Sequence, residues 1–343
     1  MKILKIPPTI EKISYFCRMN GLKTIIYTKS AELPALSDGN FFHSRRLFSI
    51  CEQTPRQKPL MVVVSDASGR VVSHLLGVIR VRTTLLPPFL LIHCRVMGEG
   101  VYAESEYPKE ELFGEMLGAL SKAVNGRTLF IEVSHLSQKM VGYRQFRQQQ
   151  FFPVHWMSIH NSLHSRAPEE RLTEKMQKRI ATATARGVTT ETVSTEKDFK
   201  AFSKLLRKHN LLKPKRYIPD DMFFRKLMES GDGRLFVTKF RERVIGCSAC
   251  VYSGGNAYLW YSAFRRKTYR PLYPDVMTIW HAIKHAHENG YQHIVFMDVG
   301  LPFSKNLFRE FILKFGGKPT STYRWFRISV KWMNALAAWI YRE

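Results

Sequence analysis

The side chains that could do chemistry gather in the second half of the chain. Asp298 ends the apolar run Ile294-Val-Phe-Met-Asp298. A carboxylate there could take a proton from, or position, an attacking amine; it could equally cap the next turn or pair with an arginine. Glu132 ends a matching run, Leu129-Phe-Ile-Glu132, and has the same two readings. Arg265, Arg266, Lys267 and Arg270 form a dense basic loop ahead of an expected helix, a ready phosphate site if the run is more than solvated charge. Tyr269 and Tyr273 could supply a phenol that protonates a leaving thiolate or hydroxyl, although aromatic packing is the commoner use. Lys178 and Arg179 stud a basic helix and could hold phosphate, nucleic-acid backbone or a lipid headgroup, or simply be solvated. Trp260 and Tyr261 alternate along a strand, so only one of them is expected to face a cleft.

Metal chemistry is not expected. Cys247 and Cys250 are three apart in a strand and point to opposite faces. His281, His285 and His287 could look like a zinc set, and His281 and His285 share a helix face, but the glutamate of the metalloprotease pattern and an obvious third ligand are missing, so they read as solvent-exposed histidines. There is no Gly-x-Ser-x-Gly, no phosphate-binding P-loop and no dinucleotide fingerprint.

The elements that must position these residues repeat. Tyr107-Pro108 and Tyr273-Pro274 each open an amphipathic helix, at an offset of about 166 residues. Each helix leads to a short apolar strand with a terminal acid, then to a helix rich in Phe and basic residues. Before each Tyr-Pro pair run three strands: 60–64, 71–82 and 90–96 in the first half, and 235–239, 244–252 and 256–264 in the second. The turns 65–69, 241–243 and 253–255 carry the residues that tight hairpins use. A final strand is expected over 323–330. This order predicts a mixed α/β fold in two similar domains, 1–164 and 165–343. Two basic helices, 170–186 and 196–208, would open the second.

Bulk properties narrow the setting. The 343 residues suit two domains, and 45% hydrophobic content suffices for two cores. Five scattered cysteines, no signal-peptide core and no long apolar run predict a cytoplasmic protein. A net charge of +25 favours polyanionic partners: nucleic acid, an anionic membrane face or an acidic carrier protein. The apolar C-terminus, with Trp332 and Trp339, could lie in a membrane interface on the inner face or dock on its own domain.

The strand and helix order resembles the GNAT acyltransferase fold, and two tandem copies resemble the FemAB-like family, in particular its BioF2-like (acetyltransferase-6) branch. The likeness is carried by Lys175 to Val188, by Tyr258 to Phe264 with its proline-marked helix, by Gly290 to Gly300 with Asp298-Val-Gly300, and by Asn306 to Gly317. The resemblance implies direct acyl or aminoacyl transfer to an amine, with no tightly bound cofactor. The donor would be acyl-CoA or acyl-carrier protein, its pantetheine phosphate meeting the basic loop, with Trp260 or Tyr261 lining the acyl channel. The acceptor would be an amine of an amino acid, amino sugar or lipid precursor, bound near Lys178 and Arg179, with Asp298 and Tyr273 as the catalytic pair. Two features depart from the pattern. The long helical arm of some tRNA-using members is missing, which disfavours aminoacyl-tRNA as donor. The glycine-rich pyrophosphate loop is replaced by Arg265 to Pro271. The second domain would hold the cleft and the first would be a degenerate partner. The rival readings are a tRNA-dependent peptidoglycan bridge aminoacyltransferase and a non-catalytic module that holds nucleic acid or membrane.

Overall fold

A computed structural model describes residues 13–16, 21–37, 39–83, 89–135, 141–211, 216–297 and 299–341. In chain order the first elements are β1 (Ile13–Phe16), β2 (Lys23–Tyr27), α1 (Arg45–Gln53), β3 (Gln57–Ser65), β4 (Val71–Thr83), β5 (Leu90–Met97), β6 (Val101–Tyr102), α2 (Lys109–Val124), β7 (Phe130–Ser134), α3 (Tyr143–Gln148) and β8 (Phe152–Ser162). Next come α4 (Glu174–Ala185), β9 (Val188–Thr192), α5 (Glu196–Asn210), α6 (Asp221–Glu229), β10 (Gly233–Phe240), β11 (Arg243–Ser253) and β12 (Asn256–Phe264). The last are α7 (Pro274–Glu288), β13 (His293–Phe296), α8 (Leu307–Leu313), β14 (Lys318–Ile328) and α9 (Lys331–Ile340). The fold is mixed α/β, as expected.

The contacts divide the chain into one unit of 1–155 with 322–343, and another of 156–321. Within the first, the strands run β1-β2-β3-β4-β5-β7-β14, with β6 beside β4. Within the second, they run β8-β13-β12-β11-β10-β9. Each unit has an antiparallel meander, then a helix crossing over to a parallel partner: β5 to β7 through α2, and β12 to β13 through α7. The hairpins close as their turn residues require. Arg241 and Glu242 both take positive φ between β10 and β11, and so do Gly254 and Gly255 between β11 and β12.

The last strand of each half pairs in the other unit. β8 follows α3 but aligns antiparallel with β13, while β14 follows α8 but aligns antiparallel with β7. A boundary at 164/165, with the C-terminus in the second domain, is therefore not the division that the contacts make. The reason is Trp325 on β14. It is fully buried and stacks on Phe146 of α3, with centroids 4.4 Å apart and planes at 2°. An indole buried this way is worth about 3–5 kcal/mol relative to alanine.

The second unit builds its core from α7 against β10, β11 and β12. The central strand β12 is buried along Ala257–Ala263, which suits a strand covered on both faces. Gly246 lets α7 lie close: a Cβ there would meet Thr278 Oγ1 at 2.1 Å and the Pro274 carbonyl at 3.2 Å. Thr278 Oγ1 is held by Thr238 Oγ1 and the Pro274 carbonyl, each at 2.7 Å. This fixes the first turn of α7 against the sheet.

Candidate active site

The site is built where β12 hands over to α7. The Arg265 amide donates to the Ile245 carbonyl (2.8 Å), at a step in the β10–β11 register that leaves Ile245 as an extra residue. The chain then closes a turn, Tyr269 N–H to Arg265 carbonyl (3.1 Å), and a short 3-10 turn over Arg270–Leu272. Arg265, Arg266, Lys267 and Arg270 all face solvent on this connection. The Tyr269, Leu272 and Tyr273 amides are drawn into local turns, and the loop presents its side-chain cations to solvent.

Tyr273 joins the turn to the helix. It is the N-cap residue of α7 in the left-handed region, φ 47° and ψ 51°, with Pro274 as the first helical residue. A non-glycine residue there costs on the order of 1 kcal/mol. The proline pre-sets the helix and gives up an amide that would have had no helical partner anyway. The buried Asp275 in the first turn pairs with Arg266 (3.2 Å). The positive end of the helix thus carries its own carboxylate, and Arg266 is partly committed to it.

Helix α4 completes the site. Arg186 Nη1 donates to the Pro271 carbonyl (2.6 Å), tying the end of α4 to the connection. Arg179 lies over the Tyr273 ring, 5.4 Å from its centroid. An open cleft of about 410 Å³ is lined by Glu174, Lys175, Lys178, Arg179, Thr182 and Tyr273. Lys178 also pairs with Glu174 one turn earlier (2.5 Å), an exposed pair worth little in stability. The structure therefore brings three expected residues, Lys178, Arg179 and Tyr273, to one cleft beside the basic connection. A cation-rich, solvent-open cleft next to a helix N-terminus suits an anionic, phosphate-bearing ligand. Tyr269 and Tyr273 also pack against a small apolar cluster with Leu272 and Met277.

Other expectations are redrawn. Asp298 lies outside the described residues. Trp260 and Tyr261 do not alternate: the β11–β12 register steps between Ala249–Tyr261 and Cys250–Leu259, so Trp260 is extra on β12. At such a bulge consecutive side chains can share a side. The two rings stack at 5.7 Å and 19°, and both are buried. Trp260 meets Phe223 and Tyr261 meets Phe224, both edge-on from α6. Arg216 sits over the Tyr261 ring (5.9 Å) and donates to the Trp260 carbonyl (3.3 Å).

The helix histidines are not solvent-exposed. His281 and His285 are half-buried with both rings 4.9 Å from that of Phe236, and His285 Nδ1 meets the Tyr252 hydroxyl at 3.0 Å. Burial, with His285 alongside, pushes His281 down to about 4. The helix face that the sequence left as solvent is covered by β10. Among the described residues no group of three His, Cys, Asp or Glu side chains could hold a metal ion.

Sequence reasoning missed Glu174, Asp275 and Thr182. Thr182 lies one turn beyond Lys178, so helical spacing alone could have placed it in the same cleft.

A crossover helix, parallel strand pair and bulged central strand define an acyltransferase fold of the GNAT type. Residues 170–303 match the acetyltransferase (GNAT) domain family. Over this stretch the chain resembles a GNAT acetyltransferase domain, as the sequence implies, and that match makes it an acyl-transferring enzyme. No curated protein matches it in sequence. Among solved structures it is similar in fold to FemX (12% identity, 84% of this chain and 97% of that one, TM-score 0.57). It is also similar to the C-terminal domain of a protein assigned as lysylphosphatidylglycerol synthetase from Agrobacterium fabrum (11%, 88% and 91%, 0.54). A third is a tandem GNAT protein from the clavulanic acid biosynthesis pathway (10%, 84% and 88%, 0.50). Among the described residues no helix is long and apolar enough to cross a membrane.

Proposed function

We propose that the second unit moves an acyl group from a thioester donor, acyl-CoA or an acyl-carrier protein, directly to an amine. The observation that carries this reading is the meeting of Lys178, Arg179 and Tyr273 at one cleft beside the Arg265–Arg270 connection. Donor phosphates would lie on Arg265, Lys267 and Arg270, with Arg266 shared between the donor and Asp275. The acyl chain would run toward the bulge, where Trp260 and Tyr261 wall the sheet. A neutral amine attacks the thioester carbon; the C–N bond forms and the C–S bond breaks. Asp298 would take the amine proton, and Tyr273 would return one to the departing thiolate. Lys178 and Arg179 would hold an anionic part of the acceptor, an amino acid, amino sugar or lipid precursor. The first unit would be a degenerate partner.

A second reading replaces the thioester with aminoacyl-tRNA, as for a peptidoglycan bridge aminoacyltransferase. It is favoured by the cationic side chains that stand where amides would cradle a single pyrophosphate, and by the net charge of +25.

Thiol release across acyl-CoA and acyl-carrier donors, with a pool of amines, tests the first reading. Release that needs both donor and amine, and falls in the Arg265→Glu, Lys267→Glu double variant, supports it. Transfer only from charged tRNA, abolished by ribonuclease, moves the conclusion to the second reading. No transfer from any donor, with retained binding to nucleic acid, would leave a non-catalytic module.

A further inference from the structure

Helix α9 is held by a polar pin and shows its apolar side to solvent. Asn334 is its buried residue: its Oδ1 accepts the Ile328 N–H (2.8 Å), and its Nδ2 donates to the Gln150 carbonyl (3.0 Å). Trp332, Leu336, Trp339 and Ile340 fall at helical spacing and are 69%, 50%, 67% and 61% exposed. A helix stabilised by docking its apolar stripe would show the reverse pattern. Two tryptophans this exposed on ten residues are not the scattered apolar surface that any protein has.

The apolar surface continues onto the end of the first unit's sheet. Ser329 donates to the Leu129 carbonyl (2.9 Å), and Leu129 donates to the Ile92 carbonyl (2.7 Å), so the start of β5, the start of β7 and the end of β14 lie together. Phe89 is 64% exposed there, with Leu90, Leu129 and Val330 also open. The charged residues of 82–83, 89–91, 127–130 and 327–341 are Arg82, Arg127, Arg327 and Lys331, all of one sign.

We propose that this end of the first unit docks on an anionic phospholipid bilayer. Tryptophan favours the headgroup boundary, and the short helix can lie in that plane with its apolar face inward. Exposed Lys331, with half-buried Arg82, Arg127 and Arg327 behind it, then meets lipid phosphates. A second copy of the chain is the poorer occupant, because it would set these like charges against each other. The inference goes beyond the acyl-transfer reading and stands on different residues. Thiol release from a soluble donor is measured apart from it, so either can fail alone.

The test is co-sedimentation of the full chain with vesicles of phosphatidylcholine alone or mixed equally with phosphatidylglycerol. We expect binding about tenfold or more tighter to the anionic vesicles, weakened by salt, with a blue shift in tryptophan emission. The Trp332→Ser, Trp339→Ser variant should lose about tenfold or more in binding while keeping its unfolding midpoint, since both rings are exposed and Asn334 is untouched. Lys331→Glu should weaken binding to anionic vesicles alone. The proposal is overturned if the wild type ignores anionic vesicles, if it binds neutral ones equally, or if the double variant binds like wild type. It is also overturned if the wild type is a dimer that the double variant dissolves.

Discussion

The two units make the same turn from a meander strand into a crossover helix, and they furnish it oppositely. In the second unit the connection carries Arg265, Arg266, Lys267 and Arg270. In the first it carries Glu99, Glu104 and Glu106, followed by Glu110 and Glu111 in the first turn of α2. Even the shared Tyr-Pro pair enters differently. Pro274 is the first residue of α7 with Tyr273 left-handed before it, whereas Pro108 is itself the N-cap of α2. The first unit's connection is also filled by its own chain. β6 pairs with β4, Gly100 donates to the buried His43 (3.2 Å), and Tyr102 donates to the Glu99 carbonyl (2.6 Å). An anionic donor would meet carboxylates and packed backbone there. One scaffold thus offers a cation-lined cleft in one unit and a closed acidic turn in the other, and the difference lies in the connections rather than in the sheets.

The largest expected effect concerns Glu132 of the first unit, which sits in the middle of β7 rather than at its end as the sequence suggests. Glu132 is ion-paired with Arg95 and Arg324 (3.0 Å to the latter). Burial alone would raise its pKa, but the two guanidiniums outweigh this and hold the carboxyl at about 2. Its folded pKa is below its unfolded one, so its stabilisation is complete above about pH 4.5 and is lost as pH falls toward 2. Glu132→Gln should cost about 3–5 kcal/mol at neutral pH by stranding the buried Arg95 and taking a carboxylate from the half-buried Arg324. Chemical denaturation from pH 7 to 2 checks both points: the gap between wild type and variant should close across that acid window. A gap independent of pH would remove the ion-pair account, and with it the reading of Glu132 as structural.

Next in size is charge reversal on the two connections. Arg265→Glu with Lys267→Glu removes two cations and spares Arg266, which Asp275 holds. Charge-assisted hydrogen bonds are worth about 1.5–3 kcal/mol each, so donor KM should rise about 100-fold or more. The mirror change, Glu104→Lys with Glu106→Lys, should leave donor KM within about twofold, since surface charges at a distance are screened. If both pairs of changes shift KM equally, only net charge matters and the contrast between the units carries no function.

A smaller contrast sits under the crossover helices. Gly77 on β4 and Gly246 on β11 each let a helix approach. A Cβ at Gly77 would meet the tip of Leu120 at 2.8 Å, a flexible side chain that can give. A Cβ at Gly246 would meet Thr278, which is locked by Thr238 and the Pro274 carbonyl. Gly246→Ala should therefore cost about 1–3 kcal/mol and raise donor KM by shifting the first turn of α7. Gly77→Ala should cost less and leave KM alone. Thermal unfolding and donor titration of the two variants decide it.

What could be read from the sequence follows from what is local. The hairpins at Arg241-Glu242 and Gly254-Gly255, the helices behind each Tyr-Pro pair and the basic connection depend on neighbours in the chain, and all are where their residues put them. Of the two family-like glycines, one answers to a near neighbour and the other to a distant strand. Gly300 is left-handed beside Asn306, and a Cβ at Gly317 would collide with Ile159 and Asn161. The rest depended on partners distant in sequence. Strand pattern announces β14 but cannot say that Trp325 will stack on Phe146 and carry the strand into the first unit. Alternation along β12 cannot show the extra residue at Trp260, because a bulge is set by the partner strand. Half-buried His281 and His285 needed Phe236, some fifty residues away, to cover them.

The finest contrast is between the two tyrosines. Tyr107 precedes its N-cap in a connection closed by its own backbone, while Tyr273 is the N-cap, in a strained conformation, with Arg179 over its ring. A structure keeps such strain only where its surroundings over-determine it, which is frequent at working sites. If the Tyr273 hydroxyl protonates the leaving thiolate, Tyr273→Phe should lower kcat about tenfold or more with donor KM little changed. The ring's packing against Leu272 and Met277 would be kept, and so would the unfolding midpoint. Donors with more acidic thiols should rescue the variant, because their thiolates leave without a proton. Tyr107→Phe should do none of this. Rescue by the leaving group distinguishes proton donation from packing, since a ring that only packs would lower kcat equally for good and poor leaving groups.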